Sequence, residues 1–315
     1  MTPLPTSPPA AHPPSPDGEL QAVVRLEARP EAGSAKHRAR ARMGMRRLLG
    51  SWFLAGKWHY YFLLLSDTGA LLAREKYSAF AIDRIYADEA SGCGWLGRCL
   101  DRYLLDLPVH RAVRDRFAFV TRRLTEALQE LLAQGAEPVT VLSVPCGLGR
   151  DLGVVHGRLR GLDAGAPRRL RLYGIDLDYE GRVLDEAQRR ARAAGVAVRL
   201  VQANILAEAT WAWLRADAGP LSVVSCIGLA PWLALDELRG LLTTFAAHLR
   251  PGGYVLLDRF NRGRHSDLGK AAEIHARYHS DEVFRDAITT SGLSVKACET
   301  FHGSEGVGYV LRAEH

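Results

Sequence analysis

Five cysteines in 315 residues (Cys93, Cys99, Cys146, Cys226, Cys298) form no CxxC pair, stand with no histidine at zinc-finger spacing, and leave one over if paired. That pattern argues against a disulfide-stapled secreted domain and a structural zinc site, and predicts a reduced, cytoplasmic protein with no metal. Also missing is a basic start followed by an apolar stretch: the first residues are mostly Pro, Ser and Ala, so no secretory signal is expected. The most apolar run, Leu48 to Leu65, is interrupted by Gly50 and Gly56 and carries Lys57 and His59 in its middle. A central lysine costs about 2.5–3.5 kcal/mol on insertion scales, which makes this a poor membrane span and leaves a buried or interfacial segment. No internal repeat is present.

The length has room for one α/β domain of roughly 200 residues with an N-terminal elaboration. A net charge of +6 and a pI near 9.2 give a basic molecule whose Lys and Arg are mostly interspersed with Asp and Glu, a hint of an anionic partner rather than a demonstration. Residues 1 to about 20 are rich in Pro, Ala and Ser and read as a disordered tail. Lys36, Arg38, Arg40, Arg42, Arg46 and Arg47 follow with no acidic residue among them. Such an arm is solvated, or else touches anionic lipid or, less in keeping with the rest of the chain, nucleic acid. The organisation expected is a Pro-rich and basic tail over 1–45, a helical N-terminal region over 46–136, and an α/β domain over 137–315.

Within the helical region, Val113, Phe117, Val120, Leu124, Leu128 and Leu131 recur at helical spacing, and Gly135 stops the run. From residue 137 strand and helix alternate. Strands are expected near Val139–Val144, Leu170–Ile175, Val196–Val201, Leu221–Cys226, Tyr254–Asp258, Val295–Phe301 and Val307–Ala313, with helices including Tyr179–Ala194 and Leu235–Leu249. This is the pattern of a doubly wound, mostly parallel seven-stranded α/β sheet, closed by an antiparallel hairpin across Gly303–Gly306.

In such a sheet the ligand lies across the carboxyl ends of the strands. The first strand breaks at Pro145 into Cys146, Gly147, Leu148, Gly149 and Arg150, a turn that brings backbone close to a ligand and opens a helix. Taken alone it is either a cofactor loop or an ordinary β-α turn. Asp176 ends the second strand and has two oxygens for the vicinal hydroxyls of a ribose, or else caps the next helix, a role open also to Asp178. The third strand ends in Gln202, Ala203, Asn204 and Ile205, where an amide could meet the edge of an adenine and Ile205 its face. The fourth ends in Cys226, Ile227 and Gly228.

These segments, in this order, resemble the class I S-adenosylmethionine-dependent methyltransferases from about Val139 to the C-terminus. The resemblance implies an S-adenosyl-L-methionine site formed by Ser143, Pro145, Cys146, Gly147, Gly149, Arg150, Asp176, Leu177, Asn204, Ile205, Cys226, Ile227 and Gly228, with Arg250-Pro251-Gly252-Gly253 as the turn before the fifth strand. Two departures stand out. Ser143 takes the place of an acid that helps hold the methionine ammonium in the family, and Pro145 takes the place of the first glycine. Arg150 and Asp151, just past the turn, are the residues placed to rearrange that end. Asp83-Arg84-Ile85-Tyr86, Gly94–Arg98, Asp101-Arg102 and Arg111–Arg114 resemble the N-terminal segment of a little-characterised bacterial methyltransferase family. That likeness implies a helical lid with Tyr86, Arg98, Asp101 and Arg102 near the site, unless these are ordinary surface ion pairs.

The activity so implied is direct in-line methyl transfer to a small-molecule or lipid acceptor. Tyr86 and His265 are the candidate bases, and Tyr86, Arg98, Arg102, Arg259 and Arg262, with Arg264 beside them, are candidates to grip the acceptor. Peripheral membrane contact would use the basic arm. A nicotinamide dehydrogenase fits less well, because Leu152 stands where the dinucleotide fingerprint wants its third glycine. A non-catalytic binding protein on the same fold is the other alternative, favoured by Ser143 and Pro145.

Overall fold

The computed structural model describes residues 24–25, 64–135, 138–261 and 276–314. The basic arm, most of the Leu48–Leu65 stretch, and Arg262, Arg264 and His265 lie outside the described residues.

Among the described residues four helices precede the main sheet, where the sequence reads as one largely helical region. Local caps divide them. Ser66 heads α1 (Asp67–Glu75) and accepts from Gly69 N at 2.9 Å, and Ser78 heads α2 (Ala79–Ala87) and accepts from Ala81 N at 3.3 Å. After α3 (Gly94–Leu105), Pro108 opens α4 (Pro108–Ala133) at a position whose missing N–H costs no helical bond. The apolar stripe expected on α4 is buried at Val113, Val120, Leu124, Leu128 and Leu131, while Phe117 is half-buried.

The α/β part runs β2 (Val139–Ser143), α5 (Arg150–Leu162), β3 (Leu170–Asp176), α6 (Arg182–Ala194), β4 (Val198–Gln202), α7 (Glu208–Ala218), β5 (Leu221–Cys226), α8 (Leu235–His248), β6 (Leu249–Phe260), α9 (Asp281–Thr290), β7 (Leu293–Phe301) and β8 (Gly306–Ala313). A two-residue strand, β1 (Val24–Arg25), pairs parallel to β4 at Val201 and Gln202. The sheet order is β1-β4-β3-β2-β5-β6-β8-β7. The six strands from β1 to β6 pair in parallel, β8 is antiparallel to β6, and β7 is antiparallel to β8. The seven strands expected from the sequence are therefore present, flanked by helices on both faces.

Four details differ from expectation. Val24–Arg25, assigned to the tail, adds an eighth strand because its backbone pairs along the edge of β4, whose ladder groups are otherwise open on that side. Arg250–Gly253 falls inside β6 rather than ahead of it: Leu249 already pairs with Leu221, the four residues loop out opposite Ser222 with Gly252 at φ +72°, and pairing resumes at Tyr254 opposite Val223. The helix expected from Tyr179 starts three residues later, at Arg182, because Asp178 folds back to accept from Leu184 N at 2.8 Å. Helix α9 was not expected; Ser280 caps it by accepting from Val283 N, and Phe284, Ala287 and Ile288 are buried.

From β2 the chain builds outward through β3 and β4, then crosses back to place β5 on the other side of β2. The connections leaving the paired carboxyl ends of β2 and β5 therefore run apart, and the crevice between them is where an open α/β sheet receives a ligand.

Candidate active site

Beyond Ser143 the chain turns through the cis Val144–Pro145 peptide, Cys146, Gly147 and Leu148 into α5. Backbone bonds from Val144 N to Ser225 O (2.8 Å), Cys146 N to Ile175 O (2.9 Å) and Gly149 N to Cys146 O (2.9 Å) fix its path. Gly147 and Gly149 have φ of +50° and +67°, a conformation that a side chain disfavours. Gly174 lets the turn lie flat on β3, since a Cβ there would stand 3.0 Å from Cys146 Sγ.

Asp176, at the end of β3, accepts from Gly147 N (2.9 Å) through Oδ2 and from Asp178 N (3.2 Å) through Oδ1. Burial raises its carboxyl above the ordinary value, against the lowering effect of these amides. Across the turn, Ser143 Oγ donates to Asp151 Oδ2 at 3.2 Å, and burial likewise raises the Asp151 carboxyl. A cavity of about 680 Å³ opens here, within the size range of small-molecule sites. Its floor is Pro145 to Leu148, Arg150, Asp151, Asp176, Ile227 and Gly228, and its roof is made by α1, α2 and α4.

Between floor and roof lies a buried cluster spanning the chain. Arg116 Nη2 donates to Tyr86 Oη at 2.8 Å, and Arg116 Nη1 stands 3.4 Å from Asp258 Oδ2. Asp258 Oδ1 in turn accepts from Gly228 N at 2.6 Å. The guanidinium lies 5.8 Å and 5.5 Å from the ring centroids of Tyr86 and Phe260. Burial opposes the Arg116 charge, but Tyr86 and Asp258 outweigh it. Burial also pushes the Tyr86 phenol up, against the lowering pull of Arg116, so Tyr86 keeps its proton at neutral pH and is a donor rather than a base. Because Tyr86 Oη accepts from Arg116, its own proton is left for another acceptor.

Of the residues singled out in the sequence, the cavity brings together Tyr86, Pro145, Cys146, Gly147, Arg150, Asp176, Ile227 and Gly228. Ser143 lies just behind, through Asp151. Gly149 caps α5 without lining the cavity. Asn204 and Ile205 stand apart from it: Asn204 Oδ1 closes a local turn onto Leu206 N (3.0 Å), and Ile205 packs into the core. Leu177 is exposed and Cys226 is buried within β5; neither lines the cavity.

Among the described residues the expected arginine grip is not assembled. Arg98 is exposed away from the cavity, Arg102 pairs with Asp88 at 2.9 Å, and Arg259 is buried on Tyr309 and Asp281. Asp101, also expected near the site, accepts from Thr68 N (2.7 Å) and Ser91 N (3.0 Å) and ties the lid helices together. Sequence reasoning missed Arg116, Asp258, Tyr77 and His110 as site residues. The signal available was a charged or polar residue on the apolar stripe of α4, where Arg116 and His110 fall in phase with Val113 and Val120.

Among the described residues no group of three or more His, Cys, Asp or Glu is arranged to hold a metal ion, and no helix is long and apolar enough to cross a membrane.

A family model described as "Putative methyltransferase" matches residues 67–268. No curated protein matches the chain. Among solved structures, one described as a "possible exported protein" from Bordetella parapertussis is 19% identical, covers 92% of this chain and 99% of its own, and superposes with a TM-score of 0.64. The magnesium protoporphyrin IX methyltransferase from Synechocystis PCC 6803, solved with bound SAH, is 13% identical over 76% of this chain and 97% of its own, with a TM-score of 0.48.

Proposed function

Because the chain belongs to the family described as "Putative methyltransferase", we propose that it uses S-adenosylmethionine to methylate a small-molecule or lipid acceptor held under the helical lid. When bound, that cofactor supplies an electrophilic methyl on a cationic sulfonium, next to a second positive charge on its ammonium. The observation that carries the reading is the pair of carboxylates, Asp176 and Asp151, flanking the glycine turn at the polar end of a cavity that is otherwise largely apolar.

The donor set fits this group. Asp176 has lone pairs left for two ribose hydroxyls after accepting its two amides. Gly147 leaves the floor open, since a Cβ built there would meet nothing closer than Ala79 at 3.6 Å. Asp151 supplies the acid that Ser143 does not, from eight residues further along, and has no cationic partner among the described residues. A half-buried carboxylate in that state favours an incoming ammonium.

The chain's own contribution is mostly orientation. Roof and floor together confine both reactants, and confinement of this kind is worth about 7–11 kcal/mol. The Arg116–Asp258 pair stiffens the junction between α4 and β6, and Tyr86 offers a proton to an acceptor oxygen. A lipid acceptor and a membrane role for the basic arm belong to the same proposal.

Isothermal titration with S-adenosylmethionine tests it. Binding is expected to the wild-type chain, weakened at least tenfold by Asp176→Ala; absence of binding to the wild type overturns the reading. Mass-labelled methyl transfer in a lysate of the source cells then identifies the acceptor.

A further inference from the structure

Away from the glycine turn the cavity continues into an apolar lobe lined by Leu72, Leu107, Val113, Phe117 and Val120. Tyr77 and His110 line the same lobe, and their hydrogen bonding fixes what it can accept. His110 Nδ1 lies 2.6 Å from Leu104 O, and a carbonyl only accepts, so Nδ1 carries the ring proton. His110 Nε2 is then a lone pair, and Tyr77 Oη, 3.2 Å away, donates to it. The rings meet edge-on, with centroids 5.9 Å apart at 71°.

Neither group ionises near neutrality. Burial takes His110 down to about 4, and burial, helped by Tyr278, takes Tyr77 up to about 12. Both nitrogens of His110 and the single proton of Tyr77 are therefore committed. What remains toward the lobe is the lone pairs of Tyr77 Oη, an acceptor with nothing to donate.

A ligand group that reaches Tyr77 Oη must bring its own hydrogen-bond donor, whereas a proton is on offer instead at Tyr86, stacked on Phe117 at 4.5 Å and held by Arg116. A carboxylate, a phosphate or an ether oxygen would face lone pair against lone pair, and an ammonium would forfeit hydration in an apolar lobe. We infer that the acceptor is an uncharged, largely apolar alcohol or phenol whose hydroxyl donates to Tyr77 Oη, with His110 as the residue that positions Tyr77. This rests on reading the glycine-turn end as the methyl-donor subsite and names the acceptor class for that reading. It is a recognition role: His110 holds Tyr77 in one orientation and so sets specificity for a donor.

The test uses three probes of one shape: 1-naphthol, 1-methoxynaphthalene and 1-naphthoate. Each is titrated calorimetrically into the full chain with S-adenosylhomocysteine present, and S-adenosylhomocysteine is titrated alone. Naphthol is expected to bind about tenfold or more tighter than the ether or the acid, the scale of one satisfied buried hydrogen bond. Tyr77→Phe should bring the naphthol-to-ether ratio close to one. His110→Phe releases the Tyr77 proton and should raise the relative affinity of the ether and the acid, a reversal that loss of packing alone does not produce.

Naphthoate binding as tightly as naphthol overturns the inference, as does a naphthol-to-ether ratio that survives Tyr77→Phe. Binding of S-adenosylhomocysteine with none of the probes also overturns it. If naphthol is selected while S-adenosylhomocysteine fails to bind, the lobe's preference stands and the methyltransferase reading falls. The wild-type comparison needs no variant, so a misfolded mutant does not blunt the test.

Discussion

Ser143 Oγ donates to Asp151 Oδ2 across 3.2 Å, joining the last residue of β2 to the first turn of α5. The serine stands where the methyltransferase resemblance implies an acid, and an acid stands eight residues later, brought back by the glycine turn. No cation pairs with Asp151 among the described residues, and burial raises its carboxyl. Two opposite pH dependences follow. The folded state binds this proton more tightly than the unfolded one, so the group's stability contribution is present at low pH and is lost as pH rises through the raised value. On the proposed reading cofactor binding uses the carboxylate, so it is expected to weaken as pH falls through the same value. Asp151→Asn is expected to weaken S-adenosylmethionine binding by about ten- to a hundredfold, the scale of a hydrogen bond to a charged group, and to leave the thermal midpoint unchanged or higher. Calorimetric titration and scanning calorimetry on the same variant measure both halves, and an unchanged dissociation constant discards the role.

The sheet was legible because its signals are local. Val139–Ser143 is an apolar run bounded by a proline turn, Gly195 ends α6 with φ of +64°, and the glycines around 147 announce a close approach of backbone. Contacts made across the fold were not legible. Arg116 and Asp258 are 142 residues apart and meet only once α4 lies over β6, so no motif in the sequence singles out Arg116. Asn204, whose place after the third strand suggests adenine, also accepts from its own backbone at Leu206 N, a bond common for a short polar side chain at a strand end. A strand ending at Asp258, as the sequence suggests, would leave Arg259 in the loop that follows. The strand runs two residues beyond Asp258, and that extension turns the side chain into the core.

Arg116→Met leaves Asp258 buried at 0% exposure with Gly228 N as its remaining partner. Removing one member of a buried pair costs about 3–5 kcal/mol. Without the guanidinium the Asp258 carboxyl rises further, so the variant should be least stable at high pH and recover as pH falls through that raised value. The double variant Arg116→Met, Asp258→Asn should regain most of the loss, read by urea unfolding at pH 5 and pH 8. Equal destabilisation in single and double variants would show that packing, not the stranded charge, sets the cost.

Asp83 on α2 fastens the lid to the floor. Its two oxygens meet Arg150 Nε at 2.6 Å and Arg190 Nη1 at 2.8 Å, one arginine on α5 beside the glycine turn and the other on α6. Both arginines are partly exposed, so the pair is worth little globally, about 1 kcal/mol. Its local effect should be larger. Asp83→Ala is expected to raise amide hydrogen exchange across Ala79–Ala87 several-fold while the protection of β2 and β5 stays as it was. Unaltered exchange in α2 would mean that apolar packing alone holds the lid.

Arg259 belongs to the scaffold rather than to the acceptor grip. Its Nε donates to Tyr309 Oη at 3.0 Å and its Nη2 meets Asp281 Oδ1 at 2.8 Å, while Tyr309 Oη donates to the same oxygen at 2.7 Å. Tyr309, Arg285 and Arg259 hold the Asp281 carboxyl down at about 2, so its contribution is present above the ordinary carboxylate value and is lost as pH falls through about 2. Arg259→Ala removes one donor from each of the Tyr309 and Asp281 oxygens at the α9 end of the sheet, leaving Asp281 with Tyr309 and Arg285. It is expected to destabilise the fold by about 1–3 kcal/mol and to leave S-adenosylmethionine and naphthol titrations unaltered. Asp281→Asn should reproduce part of that loss at neutral pH and flatten the acid limb of the unfolding profile. A variant at 259 that unfolds like the wild type yet binds naphthol tenfold more weakly would return this arginine to the site.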